Sequence, residues 1–502
     1  MAQDSLQHYP LGQPVPDSPH AICVSLPTMA DVIGYEEKKP ETLAQMKSGY
    51  PRFRLPGYVD QLAKHYAADL EDNQHDVLLL VSEKAGEQLL GFIDEEQASL
   101  KEMDGIFIVH FPEDEEVYRQ GFKFLQHTGT GVSSRQAEDI LHKLGLIAGR
   151  HKESTVSENP EHFVRNIISG LTDIPLKDIM LCNSGMNAFY AAFQATAEIQ
   201  RPKNKNIWIQ LGWLYLDTSE ILTKFLDGEE DHIKLLDVFD VEGLRELLEQ
   251  NKGKVAAIVT EAPTNPMIQT PDLPQIYQLA KEHDVVLIAD PTSSTPANIN
   301  LLPCADILAN SLTKYAANQG DVLSGAVFYN ADSPVYSELL DRTHNFHEPP
   351  YVRDLQRMAH EIQDYEATLY KIDQNAIALA DFLEKHPKVS KVHWAYSPDS
   401  KDNYSKLARK ADSPGCLITI EINGKMQPVH DRLSLLKSPS FGTSWSMVCP
   451  FMYLAHYDLV TTEEGRCLLQ KNDINPELLR ISIGTEPVEA LLSVFEEALL
   501  EA

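Results

Sequence analysis

Between residues 157 and 330, short runs of consecutive apolar residues alternate with stretches whose apolar positions recur every three or four residues. The runs are DIMLCN, NIWIQLG, HIKLLDV, VAAIVTEAP, VVLIAD, DILAN and GAVFYN. Helical patterns such as AFYAAFQATAEI, EGLRELLEQN and LPQIYQLAKEH separate several of them. Runs that are apolar at every position, rather than every second one, fit strands covered on both faces. The pattern therefore predicts an α/β layered domain on a mostly parallel sheet, with ligands gathered at the strand ends.

The flanking segments differ. Residues 1 to about 20 are proline-rich with little apolar pattern and read as an extended arm. HAICVSLPTMADVIGYEEK then gives a short apolar run, a turn and a helix, and Gly49-Tyr50-Pro51-Arg52 forms a turn before an amphipathic helix. In 75–150, HDVLLLVSE and GIFIVHFP are strand candidates around the helical stretch EKAGEQLLGFIDEEQASLKEM, which suggests a small α/β insertion. It ends in QHTGTGVSSRQAEDILHKLGL, where Gly129 and Gly131 flank a turn and Ser133 or Ser134 can cap the next helix. Beyond about 340, DLQRMAHEIQDYEATLYKIDQNAIALADFLEKH reads as one long helix or a helix pair. KVHWAY, CLITIEIN and LLRISIG are strands of a smaller α+β domain closed by PVEALLSVFEEALLEA. The expected division is an arm over 1–60, an insertion over 61–155, a large domain over 156–340 and a small domain over 341–502.

Composition narrows the partners. With 43 Lys and Arg against 74 Asp and Glu, the net charge is −31, which argues against nucleic acid and against an anionic membrane surface. Six scattered cysteines show neither a C-x-x-C pair nor zinc-ligand spacing, so reduced buried thiols and no metal are expected. The first residues lack the basic and apolar regions of a signal peptide, and no run approaches the ~20 apolar residues of a membrane span. A soluble, cytoplasmic protein is expected.

The candidate chemistry centres on 285–325. Asp290 ends one apolar run, and Lys314 follows the next in NSLTK. An acid and a lysine so placed suit an aldehyde cofactor, the lysine holding it as a Schiff base and the acid keeping its ring nitrogen protonated. The chain thus reads as a pyridoxal 5'-phosphate enzyme. Asn183-Ser184-Gly185-Met186 follows a strand and opens an alanine-rich helix, where a Ser184 cap and a glycine let a phosphate approach free N–H groups. Ser311 and Thr313 aim two hydroxyls at the region of Lys314. Tyr215 could stack on a pyridine ring and shuttle a proton, and Asn265 could meet the ring hydroxyl or the substrate. Arg480, a single charge in an apolar strand, demands an anion such as an amino-acid carboxylate. Each has a plainer role alone (a cap, a turn, a core aromatic, a structural ion pair); the combination favours the cofactor.

These residues carry a resemblance. SGMNA, EAPTNP, IADPTSSTP, CADILANSLTKY, GDVLSGA, SPGCLITIEI and LLRISIGTEP are similar to segments of the Cys/Met-metabolism pyridoxal-phosphate enzymes, in the family's order. HAICVSLPTMADVIGYEEK, GYPRF, QHTGTGVSSRQAE and SFGTSWSMVCPFMYLAHY resemble the long fungal-type cystathionine γ-synthase branch. The resemblance implies the fold-type I, aspartate-aminotransferase-like architecture and a homodimer or homotetramer with shared active sites. Lys314, Asp290 and Tyr215 would be catalytic and hold the cofactor with Gly185, Met186, Thr292, Ser311 and Thr313, while Asn265, Ser440 and Arg480 would face an amino-acid substrate. Ser440 matches a serine whose main chain helps position the lysine. A Tyr-x-Arg from the neighbouring subunit completes the family's phosphate site; Tyr50 and Arg52 match it best, with Ser134-Arg135 as competitor. The implied activity is γ-substitution on an O-acyl-L-homoserine by cysteine to give cystathionine, in methionine biosynthesis. The alternatives are a cystathionine or methionine γ- or β-lyase, or a homocysteine-forming sulfhydrylase. Asp290-Pro291-Thr292 in place of Asp-Asn-Thr, Asn318-Gln319 in place of Gly-His, and Trp445 in place of a glutamate depart from the pattern and are expected near substrate.

Overall fold

The structure, a computed structural model, describes residues 5–50, 54–70 and 75–501. Its centre is a seven-stranded sheet in the order Ile179–Cys182, Gly325–Tyr329, Ile307–Ser311, Val286–Asp290, Val255–Glu261, Ile207–Leu211, His232–Leu235. Six strands point the same way, and only Gly325–Tyr329, antiparallel to both of its neighbours, is reversed. The unbroken apolar runs have a direct cause. Ile209, Ile258 and Leu287 enter one core, while Trp208, Val259, Val286 and Ile288 enter another on the opposite face. Helix Gly185–Gln200 covers the second face, its alanines letting it lie close to the strands. The first core continues into the C-terminal part, where a five-stranded sheet runs Val389–His393, Leu417–Ile422, Leu479–Ser482, Met447–Cys449, Leu436–Lys437. The last two strands, too short to show a period, escape a sequence reading.

The insertion is a three-stranded antiparallel sheet, His75–Leu80, Ile106–Pro112 and Ser99–Met103, covered on both faces. Helices Gly57–Ala68 and Ser134–Lys143 pack on Val77, Leu79, Ile106 and Ile108; Glu83–Ile93 and Glu115–Thr128 pack on Leu78, Leu80, Val109 and Phe111. Two expectations need correction. The stretch from Glu83 to Met103 is not all helix: the helix stops at Ile93, with Asp94 left-handed, and Ser99–Met103 pairs across the Asp104-Gly105 turn. Positive φ at both turn residues is what a tight hairpin needs. The segment before His20 is not simply an extended arm, since Pro14–Val15 pairs with Cys23–Val24 and Val15 and Ser18 are buried. Ser133 accepts from the Gln136 N–H and caps helix Ser134–Lys143. The long helical stretch is two helices, Val352–Glu361 and Tyr365–Lys385, joined by a 3₁₀ turn. Among the described residues no helix is long and apolar enough to cross a membrane.

Candidate active site

A cavity of about 560 Å³ opens at the carboxyl ends of the parallel strands. Gly185, Met186, Tyr215, Asn265, Asp290, Thr292, Ser311, Thr313, Lys314 and Arg480, from six segments between 183 and 480, all line it. Each gets there by local logic. Ser184 accepts from the Asn187 N–H and starts the helix at Gly185, leaving the helix's positive end facing the cavity. A Cβ on Gly185 would meet Ser311 Cβ at 2.6 Å, so glycine is what lets the helix terminus lie against the strand end. The Ser311 N–H donates to Thr292 Oγ1 at 2.9 Å, and Thr313 Oγ1 donates to Ser324 O at 3.2 Å, fixing the loop that carries Lys314.

Lys314 is buried. Its Nζ donates to Ser440 Oγ at 2.7 Å and to Tyr50 Oη at 3.2 Å, and lies over the rings of Tyr50 and Phe441 at 4.8 and 5.0 Å. The Tyr50 beside this amine belongs to the same chain. Ser440 meets the lysine through its hydroxyl rather than through its main chain, whose carbonyl accepts from Arg480 Nη2 at 2.9 Å. Arg480 also donates to Pro439 O and to Asn265 Oδ1, and lies over Phe441 and Phe451. Its Nε has no partner among the described residues. Burial pulls the guanidinium below its ordinary pKa, the mark of a buried cation without a carboxylate of its own.

Asp290 accepts from the Thr292 N–H at 2.7 Å and opens on the cavity. Burial pushes its carboxyl up to about 6. Glu261, its neighbour across the parallel register, is pushed well up by burial and by the Asp290 charge. Tyr215, the N-cap of helix Leu216–Lys224, donates its main-chain N–H to Glu261.

Some expectations are redrawn. Arg52 lies outside the described residues. Arg135 is buried at one end of the cavity and held by Glu153 at 2.7 Å, Asp354 at 3.1 Å and Asp321 at 3.3 Å, a neutralised structural cation. Trp445 and Asn318-Gln319 do not line the cavity; Trp445, in the bend before strand Met447–Cys449, packs with Val15, Ile22 and Cys23 of the N-terminal hairpin. Sequence reasoning passed over Glu261, Phe441 and Phe451. For Glu261 the signal was present: like Asp290 it is an acid closing a strand that opens as an unbroken apolar run. The aromatics carry no such mark. Burial raises the Cys23, Cys416 and Cys449 thiols, which makes them poor nucleophiles.

The family model for Cys/Met metabolism PLP-dependent enzymes matches residues 153–500. The chain belongs to this family. Its cofactor is pyridoxal phosphate, and the site suits that group: an amine, an acid without a cation, an exposed helix N-terminus and an arginine with a spare donor converge on one cavity. An L-2-amino-4-chloropent-4-enoate dechlorinase/desaturase of Streptantibioticus cattleyicolor is 38% identical over 97% of both chains. The cystathionine gamma-synthase of Neurospora crassa is 26% identical over 98% of both, so the likeness to the fungal branch spans the whole length at a lower level. A crystal structure of cystathionine gamma synthase from Xanthomonas oryzae pv. oryzae in complex with cystathionine superposes with TM-score 0.57 at 22% identity, over 70% of this chain and 88% of that one. The fold is therefore the family's α/β fold.

Proposed function

We propose that the chain catalyses γ-elimination on a single L-α-amino acid carrying an electronegative leaving group at Cγ. One observation carries this reading. Among the described arginines lining the cavity, Arg135 is spent on three carboxylates and Arg480 alone keeps a free donor. One guanidinium serves one α-carboxylate. Condensing two amino acids asks for a second anchor. Leu323, Phe441, Phe451 and Leu454 supply an apolar wall that suits an uncharged Cγ substituent such as a halide. The Streptantibioticus relative is named for removing chlorine from C4 of a 2-amino acid, which is the γ carbon.

Lys314 would anchor the cofactor, Asp290 would meet its ring nitrogen, Tyr215 would cover the ring, and Gly185, Met186, Thr292, Ser311 and Thr313 would take the phosphate end. When bound, pyridoxal phosphate supplies an aldehyde for the substrate amine and a ring that accepts electron density from Cα. Arg480, braced by Asn265 and two carbonyls, fixes the substrate carboxylate and so turns the Cα–H toward Lys314. Lys314 takes the Cα proton, passes it on and then takes a Cβ proton, with the Ser440 and Tyr50 hydroxyls steering its amine between the two; one of the two protons is returned to the product's carbon chain, so that one proton and the leaving group are lost overall. The bond from Cγ to the leaving group breaks with its electron pair. The net change is loss of HX and gain of one unsaturation. Incubating cofactor-loaded protein with L-2-amino-4-chloropent-4-enoate is expected to release chloride without added thiol. O-acetyl- or O-succinylhomoserine with cysteine is the competing assay, and cystathionine forming faster than any thiol-independent product would overturn elimination. That second reading, γ-substitution by cysteine on an O-acyl-L-homoserine, is favoured by the full-length match to the Neurospora enzyme and asks for a second carboxylate anchor besides Arg480.

A further inference from the structure

Two acids close adjacent parallel strands at the floor of the cavity. Glu261 and Asp290 are register partners, both line it, and only Asp290 has a role in the chemistry above. Glu261 is 5% exposed and makes no ion pair with a lysine, arginine or histidine among the described residues. Its carboxyl instead accepts the main-chain N–H of Tyr215 and faces that of Asn265. The Asn265 side chain in turn accepts from Arg480 Nη1 at 3.3 Å. One side chain therefore touches the main chain under the stacking aromatic, the main chain of the amide that braces the carboxylate-binding arginine, and the strand neighbour of the ring acid.

We propose that Glu261 is a positioning residue, a neutral carboxylic acid that ties Tyr215, Asn265 and Asp290 into one frame. The neutrality follows from charge balance. The cofactor ring offers one positive charge to two acids that share a poorly solvated corner, and a second ionised carboxylate there would be buried without a counter-charge. The N–H donors favour the ionised acid, but an acid carbonyl oxygen also accepts from them, and the cost of a second buried charge beside Asp290 outweighs the difference. Burial and the neighbouring Asp290 charge both act in the same direction on Glu261. The inference rests on the placement of the cofactor ring between Asp290 and Tyr215.

The test compares Glu261→Gln with Glu261→Ala in cofactor-loaded protein. Glutamine is the uncharged isostere of the protonated acid and keeps an acceptor for both N–H groups; alanine keeps none. Cofactor content, visible circular dichroism of the bound cofactor and KM for the amino-acid substrate are measured together. Glu261→Ala is expected to keep cofactor, lose most of the visible dichroism and raise KM about tenfold, the scale of one or two lost hydrogen bonds. Glu261→Gln is expected to restore the dichroism and most of KM. Glu261→Thr, which suits a strand and is too short to reach both N–H groups, replaces the alanine variant should that one prove insoluble. A truncated variant matching wild type in dichroism and KM would overturn the positioning role. A glutamine variant as impaired as the alanine one would overturn neutrality. Wild-type protein that takes up no pyridoxal phosphate would instead overturn the cofactor placement, and this inference with it.

Discussion

Lys314 and Arg480 both lie over the ring of Phe441, yet they answer different demands. In the chemistry proposed above the lysine gives up and takes protons, which its two hydroxyl neighbours suit; the arginine holds a carboxylate still, which its amide and two carbonyl neighbours suit. Lys314→Ala is expected to lose the visible absorbance of bound cofactor and to cut turnover by at least about 10³-fold, read by spectrum and single-turnover assay. Arg480→Lys replaces a planar fork with a point charge, and an increase in KM of roughly tenfold or more with a smaller change in kcat is expected. The acid pair gives a pH dependence of definite sign. Asp290 goes from an ordinary value of 3.8 to about 6 in the folded chain, so between these pH values the folded, cofactor-free protein holds protons that the unfolded chain has released. Its stability therefore falls as pH rises from roughly 4 to 6, by at most about 3 kcal/mol from this group. Urea unfolding of stripped protein across that window should show the slope, and Asp290→Asn should flatten it.

The insertion comes closest to the start of helix Gly185–Gln200 at a glycine. Gly129 caps helix Glu115–Thr128 at φ +64, and a Cβ there would lie 2.1 Å from Ser184 Oγ and 2.7 Å from Asn187 N, the atoms that start the helix at Gly185. Gly129→Ala would strain the backbone and push the insertion off the helix cap. A loss of about 1–3 kcal/mol in stability is expected, with cofactor affinity falling about tenfold; thermal unfolding and a cofactor titration by absorbance check the two effects separately. The same element shows how far sequence reaches. Strands buried on both faces announce themselves as continuous apolar runs, which is why the large sheet and the acid and lysine at its strand ends were readable. Ser99–Met103 was not: its residues SLKEM are mostly exposed, and their pairing follows from the turn after them rather than from their own pattern. Phe441 and Phe451 were unreadable for another reason, since an aromatic outside a regular apolar pattern can be core or wall and only the tertiary fold chooses. Gly129 stood out as a turn glycine, but its steric reason lies 55 residues away at Ser184.

On the scale of the whole molecule, the cavity depends on how the insertion is fastened to the large sheet. Arg135, on the insertion's last helix, reaches Glu153, Asp354 and Asp321, and Asp321 belongs to the loop that follows Lys314. Arg353 holds Glu138 and Asp139 of the same insertion helix at 2.7 Å, while Arg357 joins Asp321 to Glu361 at 3.1 and 2.9 Å. Charges so deep are costly to desolvate and are tolerated because each meets a partner; removing one member leaves the others buried and unpaired. Arg135→Ala is therefore expected to cost about 3–5 kcal/mol in urea unfolding of the cofactor-free protein. A phosphate-binding arginine would behave in the opposite way, with near-normal stability of the stripped protein and a large loss of cofactor affinity. The double variant with Glu153→Ala sharpens the distinction. If the pair is structural, the second substitution removes a stranded carboxylate and costs less in the Arg135→Ala background than alone. If the two changes simply add, the guanidinium is serving something other than Glu153, and Arg135 returns as a rival to Arg52 at the phosphate end of the cavity.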